Sequence, residues 1–346
     1  MREYLQAPLL GLSKAHGSKA TVAIRGTGSY VPPRVVPNSF FESLVDTSDE
    51  WIRSRTGIRE RRMVQPGQAL TDMALPAAER ALEMAGIEAS DLGLIVVGTV
   101  SADIMTPSAA CILQHRLGAK KAFAFDVNAA CPGFIYALSV ARSLMRENGL
   151  EYSLVVGGEV ISNRVDYGDR STCVLFGDGA GAVVLGPSNG NGEGEILSIH
   201  LHSDGSLWEL LQLPGGGSRN PPSQEMLDRG MHFLKMQGNE VFKHAVRSMV
   251  EAAQEAMEAN GIGPSELDWF IPHQANLRIM ELVAQKLEIP PEKVIVTVDK
   301  YGNTSAASIP TALDEAVREG RIKRGDLILV DSFGAGFTWG AALFRF

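Results

Sequence analysis

Apolar residues along this chain fall into two recurring patterns. One is the short continuous run closed by glycine or polar residues. The other is the three-to-four spacing of a one-sided helix. Continuous runs are TVAIRGTGS (21–29), LGLIVVGTV (92–100), KAFAFDV (121–127), YSLVVGGEV (152–160), ILSIHLHSD (196–204), LDWFIPH (267–273) and VIVTVDKYGN (294–303). They read as strands, mostly buried ones. TCVLFGDGAGAVVLG (172–186) and LILVDSFGAGFTWGAALFRF (327–346) each read as two β pieces around a glycine turn. Helical spacing predicts helices over 70–85, stopped by Gly86, and over 106–117, entered at Pro107 and closed by Gly118. Further helices are expected from Phe134 onward and over 239–260, 276–287 and 304–319. A short helix near Trp51 would be capped by Thr47 or Ser48.

Strand–helix alternation of this kind predicts an α/β protein with largely parallel sheets covered by helices. FGDGAGAVVLG in the first half echoes FGAGFTWGAALF at the end. A duplicated fold explains the echo, with an N-terminal extension (1–20), a first half (21–190) and a second half (191–346). NGNGEGE (189–195) has the most linker-like composition.

The densest chemistry lies in DVNAACPGFIYAL (126–138). A strand ends at Val127, and apolar residues at Phe134, Ile135, Leu138 and Ala141 mark a helix. Pro132 fits the first helical position. Cys131 is then expected at a helix N-terminus, where free N–H groups and the helix dipole favour a thiolate nucleophile. A buried cysteine filling space would look the same. His273 and Asn303 fall at equivalent strand ends, in PHQANLR and GNTSAAS, on the functional edge of an α/β sheet.

Composition narrows the choices. The 346 residues are 45% hydrophobic with net charge −8, which supports a full core and argues against a general nucleic-acid binder. Three unpaired cysteines point to a reducing compartment, the cytoplasm, and no apolar run is long enough to span a bilayer. His200 and His202 alternate onto one strand face as half of a metal site, but no second pair of ligands is evident.

Together, DTSDEWIRSRTGIRER, the Cys131 segment, FGDGAGAVVL, GNEVFK, DWFIPHQANLR, GNTSAAS and FGAGFTWGAALFRF resemble the β-ketoacyl-acyl-carrier-protein synthase III family of thiolase-fold condensing enzymes. The resemblance implies a layered αβαβα fold of two similar halves, a homodimer, and no metal or organic cofactor. It implies that Cys131 is acylated by an acyl-CoA. The N–H groups of Cys131 and Ala335 would hold the oxyanion. His273 and Asn303 would stabilise the enolate left when malonyl-carrier protein loses CO2, with Phe333 packed at that site. His273 would donate from Nε2 as a neutral imidazole. Trp51 and Arg170 would sandwich the CoA adenine and Arg55 would meet its phosphates. Thr47, Gly238, Phe242 and Asn276 would line the pantetheine tunnel. Lys243, Arg278 and Lys286 would receive the acidic carrier protein. Three positions depart from the family pattern. Pro132 removes an N–H after the nucleophile. Ala335 stands for a glycine, which predicts strain if φ is positive there. Thr106 replaces a bulky residue that closes the acyl pocket across the dimer, which predicts tolerance of primers longer than acetyl. The alternatives are a related enzyme priming polyketide or other specialised products, a Cys–His–Asn thioester hydrolase, and a non-catalytic binder of acyl-CoA or carrier protein.

Overall fold

The computed structural model describes residues 21–188 and 194–346. The N-terminal extension and most of the glycine-rich linker lie outside these residues. The first sheet holds β1 (Val22–Tyr30), β2 (Leu92–Gly98), β3 (Phe123–Val127), β4 (Tyr152–Glu159) and β5 (Gly179–Pro187) in the order β1-β5-β4-β2-β3. The second holds β6 (Ile196–Ser203), β7 (Trp269–Pro272), β8 (Leu327–Gly334) and β9 (Thr338–Arg345) in the order β6-β9-β8-β7. Both sheets are mixed, which corrects the expectation of largely parallel ones. β2 pairs in parallel with β3 and β4, and β7 with β8, while β5 and β9 run antiparallel to both of their neighbours.

Strand alternation explains the layering. In β2, Leu94 and Val96 face one core while Ile95 and Val97 face another; in β8, Ile328 and Val330 divide from Leu327 and Leu329 in the same way. The inner faces of both sheets enclose two buried helices, α4 (Gly133–Asn148) and α7 (Ser308–Arg318). The outer face of the first sheet is covered by α2 (Leu70–Ala85) and α3 (Ala109–Leu117). The outer face of the second is covered by α5 (Gly238–Glu258) and α6 (Leu277–Lys286). The result is five layers, α–β–α–β–α. A separate apolar cluster containing Phe41, Ile52, Ile58 and Val174 seats α1 (Asp49–Thr56) beside this stack.

Several local expectations change. Ser108 caps α3 through its side chain, so Pro107 precedes the helix. Residues 172–186 form a short helix, Arg170–Cys173, and then one strand. Residues 294–303 contain only a single bridge, Phe270 to Val294, before a helical turn at Val298–Tyr301. The helix expected from 304 begins as a 3-10 turn, Ser305–Ala307, before α7. Among the described residues no helix is long and apolar enough to cross a membrane.

Candidate active site

β3 delivers the chain to Cys131. Pro132 occupies the cap before α4 rather than its first turn, and its carbonyl accepts the Tyr136 N–H at 3.0 Å. Ala130 adopts φ 50, so the nucleophile candidate sits on a tight, strained corner. The turn after β8 packs against this corner. A Cβ on Gly334 would lie 2.7 Å from the Cys131 nitrogen, so only glycine permits the approach. Ala335 follows and lines the same cavity. Its φ is not positive; the positive value falls on Gly336, at 142°. The strain expected from the Ala335 Cβ is therefore absent.

Cys131, His273, Asn303, Phe333 and Ala335 line one cavity of about 1100 Å³. His273 follows β7 and is buried. Its Nδ1 lies 2.7 Å from the Ser308 hydroxyl. The same hydroxyl oxygen accepts the Gln274 N–H at 3.4 Å and keeps its own hydrogen to give; donation of that hydrogen to Nδ1 is the arrangement that puts the ring proton on Nε2. Burial pushes the imidazole pKa down to about 3, keeping it neutral. Asn303 uses its side-chain carbonyl to accept the Ser305 N–H at 2.9 Å. That leaves the Nδ2 hydrogens as its donors toward the cavity.

The thiol itself departs from expectation. Burial raises the Cys131 pKa to about 11, opposed by a hydrogen bond from Ser305 and reinforced by the nearby Glu159 charge. Desolvation is the largest of these influences, and it favours a resting thiol over the thiolate that a helix N-terminus by itself favours. Its partial exposure is to the cavity.

The outer cavity collects the remaining candidates unevenly. Trp51, Arg55, Gly238, Phe242, Lys243, Asn276 and Arg278 line it. Ser48, not Thr47, caps α1 by accepting the Trp51 N–H at 3.1 Å. Thr47 is half-buried outside the lining, and its hydroxyl has no partner among the described residues. Arg170 stacks directly on Trp51, its guanidinium carbon 4.8 Å from the ring centroid, and donates to the Asp46 carbonyl at 2.6 Å. No slot is open between the two; an adenine sandwich requires the pair to part. Asn276 caps α6 and donates to the Arg55 carbonyl at 3.2 Å. Lys243 is exposed and paired with Glu240 at 2.8 Å. Arg278 stands 5.8 Å over the Phe242 ring, and Lys286 is exposed on the last turn of α6, outside the lining. Thr106 is exposed and does not line the cavity of its own chain. His200 and His202 share one carboxylate, Glu255, at 3.0 and 2.5 Å. Among the described residues no group of three or more His, Cys, Asp or Glu is placed to hold a metal ion.

Three side chains at the site escaped the sequence reading: Ser308, Ser305 and Glu159. The two serines stand inside GNTSAAS, and Glu159 ends an apolar strand. A lone carboxylate closing a buried run was the available signal.

Residues 125–205 match the family model for 3-oxoacyl-[acyl-carrier-protein] synthase III, and residues 257–346 match the model for its C-terminal part. β-Ketoacyl-[acyl-carrier-protein] synthase III of Alkalilimnicola ehrlichii is 53% identical over 324 residues, covering 93% of this chain and 98% of that protein. The Xanthomonas campestris pv. campestris protein of the same name is 54% identical over 323 residues, with the same coverage. The crystal structure of 3-oxoacyl-[acyl-carrier-protein] synthase III from Aquifex aeolicus superposes with a TM-score of 0.86 at 48% identity, covering 94% of this chain and all of that one. A priming β-ketosynthase from the R1128 polyketide pathway superposes with a TM-score of 0.86 at 37% identity, covering 95% and 97% of the two chains.

Proposed function

The chain belongs to the 3-oxoacyl-[acyl-carrier-protein] synthase III family, and we propose that Cys131, His273 and Asn303 carry its reaction as two half-reactions in one cavity. It has the thiolase-like layered fold, and it is a condensing enzyme that initiates type II fatty-acid synthesis. It joins an acyl-CoA primer to malonyl-carrier protein and releases CoA and CO2.

The observation that carries the assignment of roles is the convergence of all three side chains on the same cavity. In the first half-reaction the Cys131 sulfur attacks the thioester carbonyl and CoA leaves. The Cys131 and Ala335 N–H groups hold the oxyanion. In the second, His273 Nε2–H and Asn303 Nδ2–H donate to the malonyl thioester carbonyl. Loss of CO2 leaves an enolate bound by the same donors. Its carbon attacks the acyl group, the bond to Cys131 breaks, and a 3-ketoacyl chain departs. Phe333, packed 4.6 Å from Phe337 between ring centroids, walls the decarboxylation side with apolar surface.

Trp51, Arg55, Arg170, Thr47, Gly238, Phe242 and Asn276 take the CoA and pantetheine. Lys243, Arg278 and Lys286 receive the acidic carrier protein. Residues 21–190 and 191–346 act as the two duplicated halves. A second copy pairs along β3. That edge strand is uncovered in the single chain, with Phe123 exposed, and the neighbouring loop exposes Val100, Ile104 and Met105. Thr106 belongs to this surface, and its small side chain leaves room for primers longer than acetyl. The reducing chemistry of three free cysteines suits the cytoplasm.

The test is intact-protein and peptide mass spectrometry after incubation with acetyl-, isobutyryl-, octanoyl- and lauroyl-CoA. The expected result is a mass gain on Cys131, discharged by malonyl-carrier protein with CO2 release. Free acid without malonyl-carrier protein would instead indicate a hydrolase. Activity confined to acetyl-CoA would overturn the reading of Thr106. The favoured primer also separates fatty-acid from polyketide priming.

A further inference from the structure

Glu159 has no part in the reaction as described, yet it is fully buried and separated from the nucleophile by one hydroxyl group. It closes β4, and every hydrogen-bond partner it has is polar and uncharged. The Thr99 hydroxyl lies 3.2 Å from one carboxyl oxygen and the Ser101 hydroxyl is closer still. The Val100 N–H donates at 3.1 Å. Among the described residues no lysine, arginine or histidine bonds to it. A carboxylate buried without a counter-charge is costly and needs a reason.

Ser305 supplies a connection. Its hydroxyl reaches Cys131 Sγ at 3.5 Å and Glu159 Oε1 at 3.4 Å. The backbone holds it there at φ 52, a conformation unfavourable for a non-glycine residue, fixed by the N–H bond to Asn303. Strain of this kind is kept where position matters. Glu159 is the charged group whose field acts on Cys131, and His273, which lines the same cavity, is held neutral by burial.

We propose that Glu159, acting through the Ser305 hydroxyl, receives the proton that Cys131 loses on attacking the acyl-CoA. The reading rests on Cys131 being the acylated residue. Cys131 passes its proton to Ser305 Oγ as Ser305 passes its own to Glu159. The freed sulfur pair forms the bond to the acyl carbon, the carbon–sulfur bond to CoA breaks, and CoA leaves as a thiolate that solvent protonates. In the second half-reaction Cys131 departs as a thiolate and takes the proton back along the same path. The charge balance favours this route. Moving the proton shifts one negative charge from carboxylate to sulfur and creates no additional buried charge. Burial also places the Glu159 carboxyl at about pH 7, matched to accepting and returning a proton.

The experiment compares full-length wild type, Glu159→Gln, Ser305→Ala and the double variant. Three readouts are taken: rapid-quench mass spectrometry of acyl-Cys131 formation, its pH profile, and decarboxylation of malonyl-carrier protein without primer. Acylation should fall about a hundredfold in either variant and no further in the double variant, with decarboxylation within about twofold of wild type. The acylation pH profile should lose its inflection near neutrality in Glu159→Gln. Acylation at or above the wild-type rate in Glu159→Gln would overturn the proposal, because removing a neighbouring negative charge alone eases thiol ionisation. A parallel fall in both half-reactions would also overturn it, showing a structural role only. Wild type that never acylates Cys131 would sink the underlying site assignment instead.

Discussion

The two sheets have the same plan and different edges. Read from β1 and from β6, the strand orders correspond one to one, and α2, α3 and α4 find counterparts in α5, α6 and α7. The fifth position differs. In the first sheet it is β3, a regular edge strand leading to Cys131; in the second it shrinks to one bridge at Val294 before the chain turns toward Asn303. The chemistry divides along the same line. The first half presents a sulfur and a buried carboxyl, and the second presents a neutral imidazole and a carboxamide. On the proposed roles, two equivalent helix approaches diverge at their ends, one into a nucleophile and the other into an enolate cradle.

Separate half-reactions are the sharpest way to break this comparison. Cys131→Ala should abolish acyl-enzyme and lower condensation by more than about a thousandfold, while malonyl-carrier protein is still decarboxylated. Loss of CO2 release as well would mean the halves are not chemically independent. His273→Ala and Asn303→Ala should do the converse. Each lowers decarboxylation by about 10²–10³-fold and leaves acyl-Cys131 formation intact by mass spectrometry.

Ser308→Ala should weaken decarboxylation by about tenfold, since the imidazole loses the donor that fixes its Nε2–H tautomer. Acylation kinetics should not change. Packing between the halves is tested at Gly157 on β4, where a Cβ would meet the Ala306 carbonyl oxygen at 2.2 Å. Gly157→Ala should cost about 1–3 kcal/mol in urea denaturation, because backbone meets backbone and neither yields easily.

The smallest effect concerns pH, and its sign differs between the halves. His273, depressed to about 3, contributes stability present above its unfolded pKa of 6.5 and lost as pH falls toward 3. Glu159, raised to about 7, contributes stability present below 4.5 and lost as pH rises through 7. Glu159→Gln removes the falling contribution and leaves the rising one of His273, so the thermal stability of the variant relative to wild type should increase between about pH 4.5 and 7. A difference that stays constant across that range would mean that Glu159 does not titrate there.

Sequence alone determined the α/β alternation, the last pair of strands around its glycine turn, the corner at Cys131, and His273 at the end of a strand. Those features are local: strand runs, helix periods and turn residues fix them without distant partners. Tertiary structure decided whatever depends on pairing and burial. Strand direction in β5 and β9 follows from their neighbours, which period-two patterns do not encode. The lost strand at 294–303 had suitable residues but only isolated bridges at its two ends, Val294 to Phe270 and Asn303 to Phe176. The thiol pKa, the Ser308 contact with the His273 ring, and the Glu159–Ser305–Cys131 chain join residues far apart in sequence. Electrostatics at the site is set by what surrounds a group after folding, and neither desolvation nor a hydrogen-bond partner 146 residues away is written next to the residue it changes.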